Sequence, residues 1–140
     1  RKKKIERMIC CGDVTNDETL KKLYKEFSGQ IDMVKGNVDF FNRSNLDSIP
    51  NLLFHGDVAR IEVDGLWLGI CHQPFLLEKV LKKGKCGIVC YGHTHKPWEE
   101  KKYNTRFVNP GTLSGMFTMG TFAIFDTSTK KLELIIINQC

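Results

Sequence analysis

No Cys-x-x-Cys pair occurs in this 140-residue chain, no apolar run approaches the roughly 20 residues of a membrane span, and no repeat or low-complexity linker interrupts it. Each absence excludes a class. Without the Cys-x-x-Cys spacing, the six cysteines (Cys10, Cys11, Cys71, Cys86, Cys90 and Cys140) do not make a zinc ribbon. Five of them fall in or beside predicted strands, where a reduced Cys behaves as a small hydrophobe, so they read as core thiols of a reducing compartment. The longest apolar run, residues 132–137, is far too short to span a bilayer, and no signal peptide is visible. Cytoplasm is the expected location and a membrane is not an expected partner. Aromatic residues outside the evident core strands reduce to Phe40, Phe41 and Trp98. A single-stranded nucleic acid would need more stacking surface than that, so nucleic acid is not an expected partner.

What is present fits one ordinary globular domain over residues 1–140, with 41% hydrophobic and 26% charged residues. The formal net charge of +5 comes from lysines grouped at 1–4, 21–25, 79–85 and 96–102. Most of these are solvated faces, but the balance favours an anionic substrate by steering. Whether the chain forms a homo-oligomer stays open.

Hydrophobic spacing predicts a helix over residues 18–27, with Leu20, Leu23, Tyr24 and Phe27 on one face, Thr15, Asn16 and Asp17 as caps, and Ser28-Gly29 as the stop. A second helix is expected over 76–83, between Pro74 and Gly84. Strands are expected near Met8, Ile31, Leu52, Val58, Leu66, Ile88, Trp98, Arg106, Phe122 and Leu132. Asp64-Gly65 between two alternating runs is a hairpin signal, which makes His55 and Asp57 turn or rim residues rather than ligands. A final hairpin, residues 121–126 with 131–138, should complete a second sheet.

Four of the apolar runs end in residues able to bind a metal: Gly12-Asp13, Gly36-Asn37, His72, and Gly92-His93-Thr94-His95. In open α/β sheets the carboxyl ends of strands line the crevice where ligands sit, so these residues are expected to converge. Asp13 offers a carboxylate that can bridge two cations, Asn37 an amide oxygen, and His72, His93 and His95 imidazole nitrogens. Oxygen and nitrogen donors without thiolate suit Mn, Fe, Zn or Ni better than Ca or Mg. Two such ions clamp the attacking and leaving oxygens of a phosphoryl group, which points to phosphoester hydrolysis. Singly, each residue has a plainer reading. Gly-Asp and Gly-Asn are turn dipeptides, and one buried His is ordinarily satisfied by a backbone carbonyl. Two His one residue apart at a strand end need two separate partners, which is harder to explain structurally.

Gly12-Asp13-Val14, Gly36-Asn37-Val38-Asp39, His72-Gln73, Gly92-His93-Thr94-His95 and Asn109-Pro110-Gly111-Thr112, in that order, resemble the calcineurin-like metallophosphoesterases, and most the small uncapped phosphodiesterase branch. The resemblance runs from about Met8 to the C-terminus. It implies an α/β/β/α sandwich, two divalent ions (manganese, zinc, iron or nickel), and hydrolysis of a small phosphodiester or nucleotide-like substrate by a metal-bound hydroxide. It also implies that Asp13, Asn37, His72 and His93 hold one ion, while Asp13 and His95 contribute to the other. Asn37 and His93 would assist catalysis, and Asp39, Thr94 and Asn109 would orient these groups from behind.

Two departures stand out. The family's Asp-x-His pair on a first strand has no counterpart before Asp13, so the fold is expected to be N-terminally incomplete and the second ion site half built. Val38 stands where many relatives carry His or Cys, and it can neither give nor take a proton. A non-catalytic protein-binding scaffold of the same fold, as in the retromer subunit, is the alternative reading. A nuclease of the superfamily is disfavoured because so short a chain carries no extra domain to grip a duplex. The missing pair predicts that this chain alone hydrolyses phosphodiesters weakly or not at all; robust metal-dependent turnover by the purified chain would refute this.

Overall fold

The structure, a computed structural model, describes residues 4–14, 16–37, 43–113 and 119–137. Its elements in chain order are β1 (Arg7–Cys10), α1 (Asp17–Glu26), β2 (Gln30–Met33), a 3-10 turn (Arg43–Ser48), β3 (Leu52–Phe54), β4 (Val58–Val63), β5 (Leu66–Cys71), a second 3-10 turn (Pro74–Leu76) running into α2 (Leu77–Lys82), β6 (Ile88–Cys90), β7 (Trp98–Lys102), β8 (Thr105–Asn109), β9 (Thr121–Phe125) and β10 (Leu132–Ile136). Strands β1, β2 and β3 form a parallel three-stranded sheet. A five-stranded sheet runs β4-β5-β6-β8-β7, with parallel β5, β6 and β8 at its centre and antiparallel strands at both edges.

Side-chain alternation along the strands assigns these sheets to layers. On β1, Met8 and Cys10 pack with Leu20 of α1 and with Ile31, Met33 and Leu52, whereas Ile9 joins Val34, Ala59, Leu68, Ile70, Ile88 and Val108 between the sheets. On the far side of the five-stranded sheet, Val58, Cys71, Val89 and Phe107 meet Val80 of α2. Three apolar interfaces thus separate four layers, giving the α/β/β/α sandwich. Ile31, Met33, Ile70, Val80 and Val89 have no exposed surface, and burying each such side chain is worth about 1.5–3 kcal/mol.

Local chemistry sets the ends of α1. Asn16 Oδ1 accepts from Thr19 N at 2.9 Å, and Asp17 and Glu18 sit in the positive first turn. At the other end Asn51 Nδ2 donates to the Phe27 carbonyl at 2.7 Å and the Gly29 carbonyl at 3.1 Å, satisfying backbone acceptors that the finished helix leaves open. Asp64 (φ +51°) and Gly65 (φ +79°) make a two-residue turn between β4 and β5 with left-handed backbone at both positions, as the Asp-Gly signal requires.

One expectation is corrected here. Among the described residues, the β9–β10 hairpin pairs only within itself and does not complete the second sheet; Phe125 and Leu132 instead pack against the core between the sheets. His55 lies in the loop between β3 and β4, as expected, and has a partner that the sequence does not show. It lies 2.8 Å from the buried Asp32 carboxylate, whose other oxygen meets Arg7 Nη1 at 3.3 Å, so the buried carboxylate has a hydrogen-bonding and an ion-pairing partner. Among the described residues, no helix is long and apolar enough to cross a membrane.

Helix α2 lies close to β5 because position 69 has no side chain. A Cβ on Gly69 would run into Val80 Cγ1 and crowd Val89 Cγ2 at 3.1 Å, with both neighbours fully buried. Gly69→Ala is therefore expected to cost about 1–3 kcal/mol through overpacking, read as a lower urea midpoint at unchanged slope.

Candidate functional site

The carboxyl ends of β1 and β2 are held together by backbone contact between two glycines. Val34 N donates to the Cys10 carbonyl at 3.1 Å, extending the parallel ladder past the last paired residues. Beyond it Gly12 adopts φ +101°, and a Cβ there would meet the Cα and N of Gly36 at 2.7 Å. A Cβ on Gly36 would in turn strike the backbone and carboxylate of Asp13. The glycines before Asp13 and Asn37 thus let two loops touch, which carries those two side chains to one place.

His72 follows β5 directly and is 3% exposed. Its Nδ1 lies 2.8 Å from the Cys11 carbonyl, which can only accept, so Nδ1 carries the hydrogen and donates. Up to this point the plainer reading of a buried His satisfied by a carbonyl holds. The other ring nitrogen exceeds it. Nε2 approaches Asn37 Oδ1 at 2.6 Å and Asp13 Oδ2 at 3.2 Å, so lone pairs converge unless a proton or a cation lies among them. Donors about 2.1 Å from a shared ion stand about 3.0–3.4 Å apart, so the His72–Asp13 spacing fits and Asn37 would have to withdraw by a few tenths of an ångström. A metal-binding imidazole whose second nitrogen donates to a carbonyl is the usual supporting arrangement. The donor set fits a divalent ion.

The histidine loop reaches this cluster from β6. Gly92 N donates to the His72 carbonyl at 2.9 Å, and the His93 ring stands edge-on to His72, with centroids 5.2 Å apart and planes at 78°. Thr94 N donates back to the Gly92 carbonyl at 2.9 Å across His93, whose φ is +69°. An i to i+2 bond across a residue of positive φ is the rare, strained form of γ-turn. Asp13 (φ +62°) and His95 (φ +59°) are also left-handed, and non-glycine residues held in that region cost about 1–3 kcal/mol each. Three of the five candidate ligands therefore carry backbone strain, which persists only where surrounding contacts enforce it.

The structure brings Asp13, Asn37, His72 and His93 to one end of the two sheets, with His95 two residues further along the same loop. Among the described residues, no three His, Cys, Asp or Glu side chains already stand as a coordination shell. Asp39 and Val38 lie outside the described residues. Thr94 and Asn109, expected behind the ligands, are joined to each other: Asn109 Nδ2 donates to Thr94 Oγ1 at 2.8 Å and to the Gly92 carbonyl at 3.2 Å. Cys11, whose carbonyl orients His72, is a contributor that side-chain motifs do not announce, because its part is played by the backbone. Cys71 packs toward α2, on the face opposite His72, as strand alternation requires.

A model of the calcineurin-like phosphoesterase superfamily domain matches residues 1–130. The chain belongs to the calcineurin-like phosphoesterase superfamily. A phosphodiesterase of Methanocaldococcus jannaschii is 29% identical over 139 residues, covering 95% of this chain and 83% of that protein. The solved structure of an archaeal phosphodiesterase superposes with a TM-score of 0.83 at 29% identity, covering 95% of this chain and 84% of that one. Vps29 of Entamoeba histolytica, solved as a zinc complex, shares the fold with a TM-score of 0.70 at 18% identity, covering 96% of this chain and 83% of that one. Membership of this superfamily implies divalent metal ions and a hydrolase class.

The thiols near these donors are held neutral. Burial pushes Cys71 and Cys90 up to about 12, and burial followed by neighbouring thiols raises Cys11 well above its ordinary value. Neutral thiols are poor ligands and poor nucleophiles. These thiols ionise near 9.0 when unfolded but not when folded, so the unfolded chain loses protons first and stability falls as pH rises above about 9. Iodoacetamide at pH 8.5 should leave Cys71 and Cys90 unmodified in the native chain and label both in urea, as peptide mass spectrometry would show.

Proposed function

We propose that this chain carries the main part of a metal-dependent phosphodiesterase site for a small, anionic phosphodiester or nucleotide-like substrate, with its second ion site half built, so that the chain alone turns over weakly or not at all. The observation that carries this reading is His72, whose Nδ1 is committed to the Cys11 carbonyl while Nε2 faces Asn37 Oδ1 and Asp13 Oδ2. Asp13, Asn37, His72 and His93 would hold one divalent ion, and Asp13 with His95 would contribute to a second. Manganese, zinc, iron and nickel all suit these donors. When bound, such ions supply a Lewis acid for the phosphoryl oxygens and make water acidic enough to attack near neutral pH.

The side chains themselves do the positioning. His72 is fixed in ring orientation and tautomer by the Cys11 carbonyl, and the Gly12–Gly36 contact holds the Asp13 carboxylate beside it. Asn37 and His93 would assist by fixing the geometry of the bound ion, and no side chain would serve as a covalent nucleophile. Val38 cannot protonate a departing alkoxide, so esters with acidic leaving groups, aryl esters above all, are the preferred substrates. The exposed Lys35 and Lys96 flank two of the ligand loops and favour approach of an anion.

The second reading is a non-catalytic binding module of the same fold, for which the fold shared with Vps29 is the support. Four retained donors for one ion favour the enzyme. Measuring bound manganese and zinc in the purified chain and in His93→Ala and Asp13→Asn tests the site, while restored hydrolysis on adding an Asp-x-His strand upstream separates the enzyme from a scaffold, which can hold metal without turnover. Either substitution should lower metal content at least several-fold without unfolding the chain, and an unchanged content in both would remove the site assignment.

A further inference from the structure

Asn109 ends β8 and is 1% exposed, yet every polar function of its side chain is engaged. Its Nδ2 donates to Thr94 Oγ1 at 2.8 Å and to the Gly92 carbonyl at 3.2 Å, while its Oδ1 accepts from Gly111 N at 2.9 Å. The Gly92 carbonyl is also the acceptor that closes the turn around His93. Asn109 therefore grips both shoulders of that turn, Gly92 before His93 and Thr94 after it.

We propose that Asn109 is the positioning residue of the histidine loop, its carboxamide locking the strained turn that carries His93 into the metal-binding cluster. The inference rests on the reading of that cluster given above. The loop hangs from β6, and Asn109 belongs to β8, which pairs with β6 through Cys90 and Val108. The pin and the turn therefore share one rigid frame. Residue type follows from the bonds. An aspartate would lack the donors, a glutamine would be a methylene too long, and an apolar residue would leave the Gly111 amide and the Thr94 hydroxyl without this partner. With the grip released, His93 can relax to an ordinary negative φ, which swings its ring away from His72. The Asn109-Pro110-Gly111 turn, where Gly111 adopts φ +84°, thus acts on the ligand loop through one side chain.

The test is manganese binding by calorimetry on the whole chain, with melting of the metal-free protein recorded alongside. Thr94→Val removes one acceptor at nearly constant volume, and Asn109→Leu removes the whole grip. Both are expected to weaken manganese binding by about 10- to 100-fold. Thr94→Val should melt close to the parent, whereas a merely structural role would lower melting and leave affinity unchanged. His93→Ala is the reference. If it loses affinity while the folded Thr94→Val binds like the parent, the positioning role is overturned and the metal site stands. If His93→Ala binds manganese as tightly as the parent, the metal site itself is overturned, and this inference with it. Should Asn109→Leu fail to fold, Thr94→Val alone decides.

Discussion

Two loop backbones touching at Gly12 and Gly36 is the constraint on which the candidate site depends. Separation there by the width of one methyl group would part Asp13 from Asn37 and withdraw both from His72. The contact is affordable only because both positions lack a Cβ and because β1 and β2 are parallel neighbours whose ladder continues to the loops. Everything nearer the chemistry, including the ring orientation of His72, is measured from that fixed point.

Around it the molecule concentrates unfavourable local geometry where the donors are. Asp13, His93 and His95 are left-handed, and His93 is the centre of a tight turn. The four-layer core supplies the stability that tolerates this cost. Parallel strands buried on both faces give a stiff platform, and the loops at their carboxyl ends are set by hydrogen bonds to neighbouring strands, not by their own propensities. The nearby thiols remain neutral for the same reason the platform is stiff: they are buried in it.

The ten strands of the described residues lie where strands were expected, most as short apolar runs bounded by turn residues although β7 is charged and exposed; the first helix was legible from its 3.6-residue spacing and cap, the second from Pro74 and Gly84. The Asp64-Gly65 turn followed from residue type alone. Less legible were features in which distant residues meet. The Tyr103-Asn104 turn between β7 and β8 uses the same two left-handed positions as Asp64-Gly65, with no glycine to signal it. Asp32, His55 and Arg7 are unremarkable in the sequence, because only strand adjacency makes them one ionic group. Asn51 closes α1 from more than twenty residues away, beyond any local capping pattern. The last hairpin looked like sheet completion, but alternation of apolar residues does not say which edge a strand will join.

Residue chemistry and order alone determined which atoms are available as donors: one carboxylate, one amide and three imidazoles, each at the end of an apolar run. They also determined the family, since five short motifs in fixed succession are specific where none is singly. Tertiary structure decided how those donors are oriented. The tautomer of His72 comes from a backbone carbonyl sixty-one residues away, the backbone of His93 from an asparagine on another strand, and the approach of Asp13 to Asn37 from the contact of two glycines. Orientation is a relation between chain segments, so it exists only once folding has set those segments side by side.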